Sequence, residues 1–201
     1  MKNRKLYIAM VTIIALIATS CTKEEVRIEG IGTITTRTLN IADFQGIALA
    51  GVDDVIINYG AEQYVEVTGH PNIIDRIKTD VHNETWLCEL EKGTYGDYEL
   101  TYYVTIPSLE EVSISGTGDV VITDSFTQQN MKIDLEGTGS FLGFNLTANN
   151  CQVDIAGTGN CEITVNSSLD VSIDGTGNVY YKGNPNLKED ISGTGKVIDA
   201  N

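Results

Sequence analysis

Carboxylates, hydroxyls and thiols recur along this chain at intervals near twenty residues, and each set raises a different chemistry. Asp134 and Asp154, with Glu136 and Asp174 nearby, fall at equivalent places in successive segments. Two carboxyls on one face could serve as acid and nucleophile, or acid and base, on a glycosidic bond. Asp119, Ser140, Asn160, Asn178 and Lys196 recur just after a glycine-rich turn. Turns of that kind can hold calcium, but calcium wants several carboxylates converging at about 2.4 Å, and here one position in the set is an aspartate. Cys151 and Cys161 raise a disulfide or a metal pair, and Tyr95, Tyr98, Tyr102, Tyr103, Tyr180 and Tyr181, with Trp86, raise a stacking platform for sugar rings.

Each set also has a plainer role. Alternating strands put charges outward for solubility, so the carboxylate ladder reads as a solvated face, or as a weak surface for divalent cations or a cationic partner. A polyuronate lyase needs clustered cations, yet the chain has no arginine after Arg76 and no histidine after His82. The lysines left, Lys132, Lys182, Lys188 and Lys196, are too sparse for a cationic cleft. Cys161 aligns with Val120, Phe141, Val179 and Val197, and Cys151 with Met131, Leu169 and Leu187, which makes both small core residues. The expectation is a protein that is not an enzyme, with no catalytic residue, metal or cofactor.

What must position these residues is a repeat. Gly-Thr-Gly occurs at Gly116–Gly118, Gly137–Gly139, Gly157–Gly159, Gly175–Gly177 and Gly193–Gly195, at intervals of 21, 20, 18 and 18 residues. A period near twenty marks a solenoid. Two residues before each triplet stand Ile114, Leu135, Ile155, Ile173 and Ile191; four before it stand Val112, Ile133, Val153, Val171 and the exception Glu189. Ser113, Asp134, Asp154, Ser172 and Asp190 alternate with them, and Ser115, Glu136, Ala156, Asp174 and Ser192 follow, so a strand with one oily face enters each turn. Val120, Phe141, Cys161, Val179 and Val197 begin a second strand. Stacked parallel coils turn each set into an interior file. Thr123-Asp124-Ser125, Ala148-Asn149-Asn150 and Asn166-Ser167-Ser168 are expected as the other corners.

Two reasons select glycine at Gly116, Gly118, Gly137, Gly139, Gly157, Gly159, Gly175, Gly177, Gly193 and Gly195. A turn between sheets within three residues calls for positive φ. Coils about 4.8 Å apart leave a larger corner residue crowded by its copies above and below.

The first half is less regular. Strands are expected at Ile47 to Leu49, Val55 to Ile57, Tyr64 to Val67, Thr85 to Leu90 and Leu100 to Ile106, with a helical turn or two over Pro71 to Ile77. Ala50-Gly51-Val52 reads as a degenerate corner.

The ends add a location. Lys2, Arg4 and Lys5 precede an apolar run from Leu6 to Ile17, the order of a secretory signal and too short to span a bilayer. Ala18-Thr19-Ser20-Cys21 resembles a lipobox, with Ala18 departing from the usual leucine, which makes Cys21 the lipidated residue. Thr22-Lys23-Glu24-Glu25 resembles a signal for the outer face of the outer membrane. Removing the leader leaves 10 basic against 28 acidic residues, a balance of −18 that excludes nucleic acid as a partner. Three cysteines then remain after Cys21, an odd number that argues against a disulfide scaffold.

Several of these features resemble the head GIN domain family of autotransporter adhesins, carried by lipoproteins of gut-type Gram-negative bacteria. The resemblance rests on Gly-Thr-Gly in place of the family's more usual Gly-Ser-Gly and on Phe44 to Asp54 as its "F..I...G..DV" opening. It rests too on Ile106-Pro107-Ser108-Leu109, on Val179 to Pro185 and on the closing Ile191 to Val197. It implies an all-β chain, a right-handed single-stranded parallel β-helix of pectate-lyase-like shape without that class's catalytic residues, and a role in adhesion.

The organisation expected is a signal peptide at 1–20, a lipidated amino terminus and tether at 21–28, and a β-helix domain at 29–201. Within that domain, 29–110 hold irregular coils and 111–201 the regular repeats. The function expected is a non-catalytic envelope lipoprotein that binds or adheres through an unknown protein or glycan ligand. It is membrane-bound through its lipid, at the outer membrane and on the cell surface, with a periplasm-facing placement as the alternative. A second reading is an assembly protein stacking on itself or on another envelope protein, and a third a carbohydrate-active enzyme.

Overall fold

The computed structural model describes residues 27–201; the expected leader, Cys21 and most of the tether lie outside the described residues. Alternation of apolar and polar side chains dominates this sequence, and the outcome is all β. One mixed sheet of 15 strands curls into a half-barrel around a single core, with a helix of four residues.

The regular half comprises β8 (Glu111–Ile114), β9 (Val120–Ile122), β10 (Phe126–Leu135), β11 (Phe141–Ile155), β12 (Cys161–Ile173), β13 (Val179–Lys182), β14 (Asn186–Ile191) and β15 (Val197–Asp199). Every pairing among them is parallel and joins equivalent places in neighbouring repeats. Ile133 lies opposite Val112 and Val153, and Val171 opposite Val153 and Glu189. Ile114, Leu135, Ile155, Ile173 and Ile191 form one file, and Val120, Phe141, Cys161, Val179 and Val197 another. Members of both files are buried until the last repeat, where Ile191 is 37% exposed. Each fully buried aliphatic side chain contributes about 1.5–3 kcal/mol, so the files supply the main cohesion of the stack.

Two of the three expected corners lie within strands rather than in separate turns, with the apolar–polar alternation broken at Asn149-Asn150 and at Asn166-Ser167-Ser168. Ala148-Asn149-Asn150 and Asn166-Ser167-Ser168 sit inside the continuous strands β11 and β12, while Thr123-Asp124-Ser125 separates β9 from β10. Polar ladders replace the turn: Asn149 Nδ2 donates to Gln129 Oε1 at 2.8 Å, and Ser168 Oγ to Asn150 Oδ1 at 2.8 Å. The shortening of the repeat from 20 to 18 residues is absorbed here too, by register shifts between Gly143 and Thr147 and between Ala148 and Asn150.

The first half contains β1 (Thr35–Leu39), β2 (Gly46–Leu49), β3 (Asp54–Tyr59), β4 (Tyr64–Gly69), α1 (Pro71–Ile74), β5 (Val81–His82), β6 (Thr85–Cys88) and β7 (Leu100–Ile106). β2 lies in parallel between β6 and β8, and β3 between β7 and β9, so Trp86 and Ile47 extend one file, and Tyr102 and Val55 another. The expected succession of irregular coils over 29–110 needs correction. β6 and β7 come later in sequence than β2 and β3 yet lie beneath them, and β1–β4, β4–β7 and β5–β6 are antiparallel. Pairing a hairpin-like ribbon onto β7 covers the lower edge, the exposure that an open stack would otherwise leave.

Candidate functional site

The glycine corners form two continuous files. A Cβ added at Gly137 would overlap the carbonyl oxygen of Gly116, and one at Gly139 that of Gly118, and the pattern repeats through Gly157, Gly159, Gly175, Gly177, Gly193 and Gly195. Crowding between neighbouring repeats is thus the reason for glycine. Positive φ is not: among the described glycines it occurs at Gly32 and Gly183, outside the triplets. The threonines between them point to solvent, while their backbone N–H groups donate downward, as from Thr158 to the Gly137 carbonyl at 3.0 Å.

Just past the corner runs a ladder of side-chain oxygens. Asp54 Oδ1 accepts from the Asp119 N–H, Asp119 Oδ1 from that of Ser140, and Ser140 Oγ from that of Asn160. Asn160 Oδ1 accepts from that of Asn178, and Asn178 Oδ1 from that of Lys196, at 2.7 to 3.1 Å throughout the ladder. Asp119, Ser140, Asn160 and Asn178, considered above for calcium, thus each give one oxygen to a backbone N–H of the next repeat.

The carboxylates that could have been a catalytic pair are also engaged. Asp134 lies opposite Asp154, as the alternation predicts. Lys132 Nζ reaches Asp134 at 2.6 Å and Glu111 at 3.1 Å, and Gln152 donates to Asp154 at 2.7 Å. No group of three or more His, Cys, Asp or Glu side chains suited to a metal occurs among the described residues. Cys88, Cys151 and Cys161 are buried free thiols, and burial pushes the Cys151 thiol up to about 12. Of the aromatic set, Trp86 and Tyr102 leave the surface entirely: Trp86 packs edge-on to Tyr102 at 5.6 Å and donates to the Lys78 carbonyl. Tyr103 is exposed, and Tyr180 and Tyr181 are both half-buried.

The recess that sequence reasoning missed lies at the base of the corner files. There the triplet beneath Gly116-Thr117-Gly118 is Gly51-Val52-Asp53, one residue on from the expected Ala50-Gly51-Val52. Asp53 is 8% exposed, and Tyr98 donates to its Oδ2 at 3.2 Å. Burial pushes its carboxyl up to about 6 and Asp54 adds to this, against the Tyr98 hydrogen bond, which lowers it. A cleft of about 480 Å³ opens beside it, lined by Val52, Leu90, Tyr95 and Tyr98 together with Glu89, Glu91 and Lys92. Tyr95 and Tyr98 meet edge to face at 5.8 Å. Residues 28 and 29, where the tether meets the domain, clamp this loop: the Ile28 N–H donates to the Thr94 carbonyl at 2.8 Å, and the Asp97 N–H to Glu29 Oε2. A shifted acid in a cleft marks a place to look for binding. The signal for it in the sequence was an aspartate standing in a glycine file.

Asp53 also fixes a pH dependence. Its folded value lies above its unfolded one, so the folded state holds the proton more tightly, and the cost of ionising it is fully present above about pH 6 and vanishes below about pH 4. Asp53→Asn, which keeps an acceptor for Tyr98, is expected to raise unfolding free energy by about 1–3 kcal/mol at pH 8 and to leave it unchanged at pH 4, in urea melts at each pH.

An all-β chain whose successive repeats pair in register, with its polar side chains turned outward, belongs to the class of all-β stacked-repeat domains. The chain itself belongs to the family described as "Putative auto-transporter adhesin, head GIN domain", whose model matches residues 43–141 and 127–185. A crystal structure of a "putative adhesin" from Bacteroides fragilis has a TM-score of 0.61 and 21% identity, covering 85% of this chain and 99% of that one. One of a "Putative lipid binding protein" from Parabacteroides distasonis has a TM-score of 0.53 and 19% identity, covering 87% and 100%. These likenesses show a shared fold. A comparison with curated proteins finds no match.

Proposed function

We propose that this chain is a non-catalytic adhesion or binding module of the cell envelope, lipidated at Cys21 and held at the outer membrane with its repeats facing outward. In this reading the stacked repeats are the coils of a right-handed single-stranded parallel β-helix, the glycine triplets its corners, and the recess at Asp53 and Tyr98 the first place to seek a ligand. The observation that carries it is the in-register stack from Val112 to Glu189 in a chain of the head GIN family, with polar side chains on its outer face. The segment Thr22-Lys23-Glu24-Glu25 supports the surface side. A second reading, assembly with another copy, is favoured by the uncovered edge of β14, all six of whose residues are exposed.

Fractionation and protease treatment of intact cells test the first reading. Wild-type protein is expected in the outer-membrane fraction and to be cut by added protease, and Cys21→Ser in the soluble fraction. Recovery of wild-type protein as soluble would overturn the anchor, and its survival on intact cells would overturn the surface placement.

A further inference from the structure

The two ends of the stack differ. At the base, the antiparallel strands β1, β4 and β5 cover the edges. At the far end, β14 bonds only β12 and β15 only β13, so among the described residues each has one side without a strand. The interior files run out there into solvent: Leu187, which continues Met131, Cys151 and Leu169, is 40% exposed, and Ile191 37%. Such an edge is a template for another strand.

The sequence of β14, Asn186-Leu187-Lys188-Glu189-Asp190-Ile191, is complementary to itself. Consider a second copy related by a two-fold axis normal to the sheet and passing beside Glu189. The two β14 edges then run antiparallel with like faces together. Leu187 meets Ile191 of the other copy on the interior side and continues both files across the junction. Lys188 meets Asp190 on the outer side, and both contacts occur twice. Cross-strand pairs of these types are the stabilising unit of an antiparallel edge. Glu189, where Val112, Ile133, Val153 and Val171 stand in earlier repeats, faces its own copy at the axis and keeps the pairing weak and reversible.

We infer that the open end of the stack binds the open end of a second copy, through β14 against β14. This rests on the anchored reading above for its biological sense. The axis reverses the stack direction, so the two bases, each six residues from a Cys21, point opposite ways. A pair built like this joins two membranes rather than two neighbours in one. The partner of the adhesin is then the same protein on a facing cell, and many weak pairs acting together supply the hold.

Sedimentation equilibrium of the soluble chain 22–201, with an unfolding melt of each variant as the control for folding, tests the pairing apart from the anchor. Wild-type chain is expected in a monomer–dimer equilibrium. Lys188→Glu sets like charges opposite one another twice and is expected to weaken it at least about tenfold, Glu189→Gln to tighten it, and Lys188→Glu with Asp190→Lys to restore it. Lys188 also bridges Asp170 at 2.7 Å within its own chain, and the double variant separates that role, because it leaves the bridge broken while re-pairing the edge. Beads carrying the chain by its amino terminus are expected to cluster with wild type and not with Lys188→Glu. A wild-type chain that stays monomeric at its solubility limit, oligomers larger than two, or a double variant no better than the single one would each overturn the inference. Failure of lipidation would leave the pairing standing and remove only its role between cells.

Discussion

Gly139→Ala is expected to lose more than about 4 kcal/mol of stability, enough to leave little folded chain, whereas Gly51→Ala changes it by less than about 1 kcal/mol. Both glycines lie in the corner files. At Gly139 the new methyl would overlap the Gly118 carbonyl and lie 2.9 Å from Ile114 Cγ2. The two repeats cannot separate here to make room, because the Thr138 and Gly139 N–H groups hold this corner to the Gly116 carbonyl at 3.0 and 3.2 Å, and Ile114 is fully buried. At Gly51 nothing of the file lies beneath, and the nearest atom to a new Cβ is Asp53 Oδ2 at 3.5 Å, an ordinary contact. Urea unfolding of the two variants side by side measures the difference. Equal losses would mean that glycine serves the turn itself and not the spacing between repeats.

Val153→Glu is the second large effect, with an expected loss of about 4–5 kcal/mol or more at pH 7. Val153 is fully buried between Ile133 and Val171, on a strand whose backbone hydrogen bonds are taken up by its neighbours. A carboxylate there has no cation and no donor to meet it. The same side chain occurs naturally one repeat beyond Val171, at Glu189, where the file reaches solvent. Thermal melts should show the Val153 variant unfolded or rescued only in acid, and Glu189→Val folded.

That contrast explains what the sequence could and could not disclose. Register in the second half was readable residue by residue, because a period of two selects the buried face and a period near twenty aligns the repeats, and Cys151 and Cys161 fell into their files on spacing alone. Glu189 stood out as an exception, yet only the structure shows it at an exposed edge. In the first half no repeat exists to fix the order, and strands such as Leu100–Ile106 were found while their partners were not: β7 was matched with β3 and β4 by tertiary packing rather than by local pattern. Asp53 was hidden for a related reason. It occupies a glycine position that no neighbouring repeat constrains from below, and its role depends on Tyr98, 45 residues away.

The ladder of side-chain oxygens past the corners has a polarity. Every acceptor belongs to the earlier repeat and every N–H to the later one, from Asp54 to Lys196. A polypeptide that emerges amino end first therefore finds each docking point already in place when the next segment arrives, and can wind up one turn at a time without waiting for its far end. In this ladder, growth from the opposite end would begin with N–H donors that have no side-chain acceptor to meet.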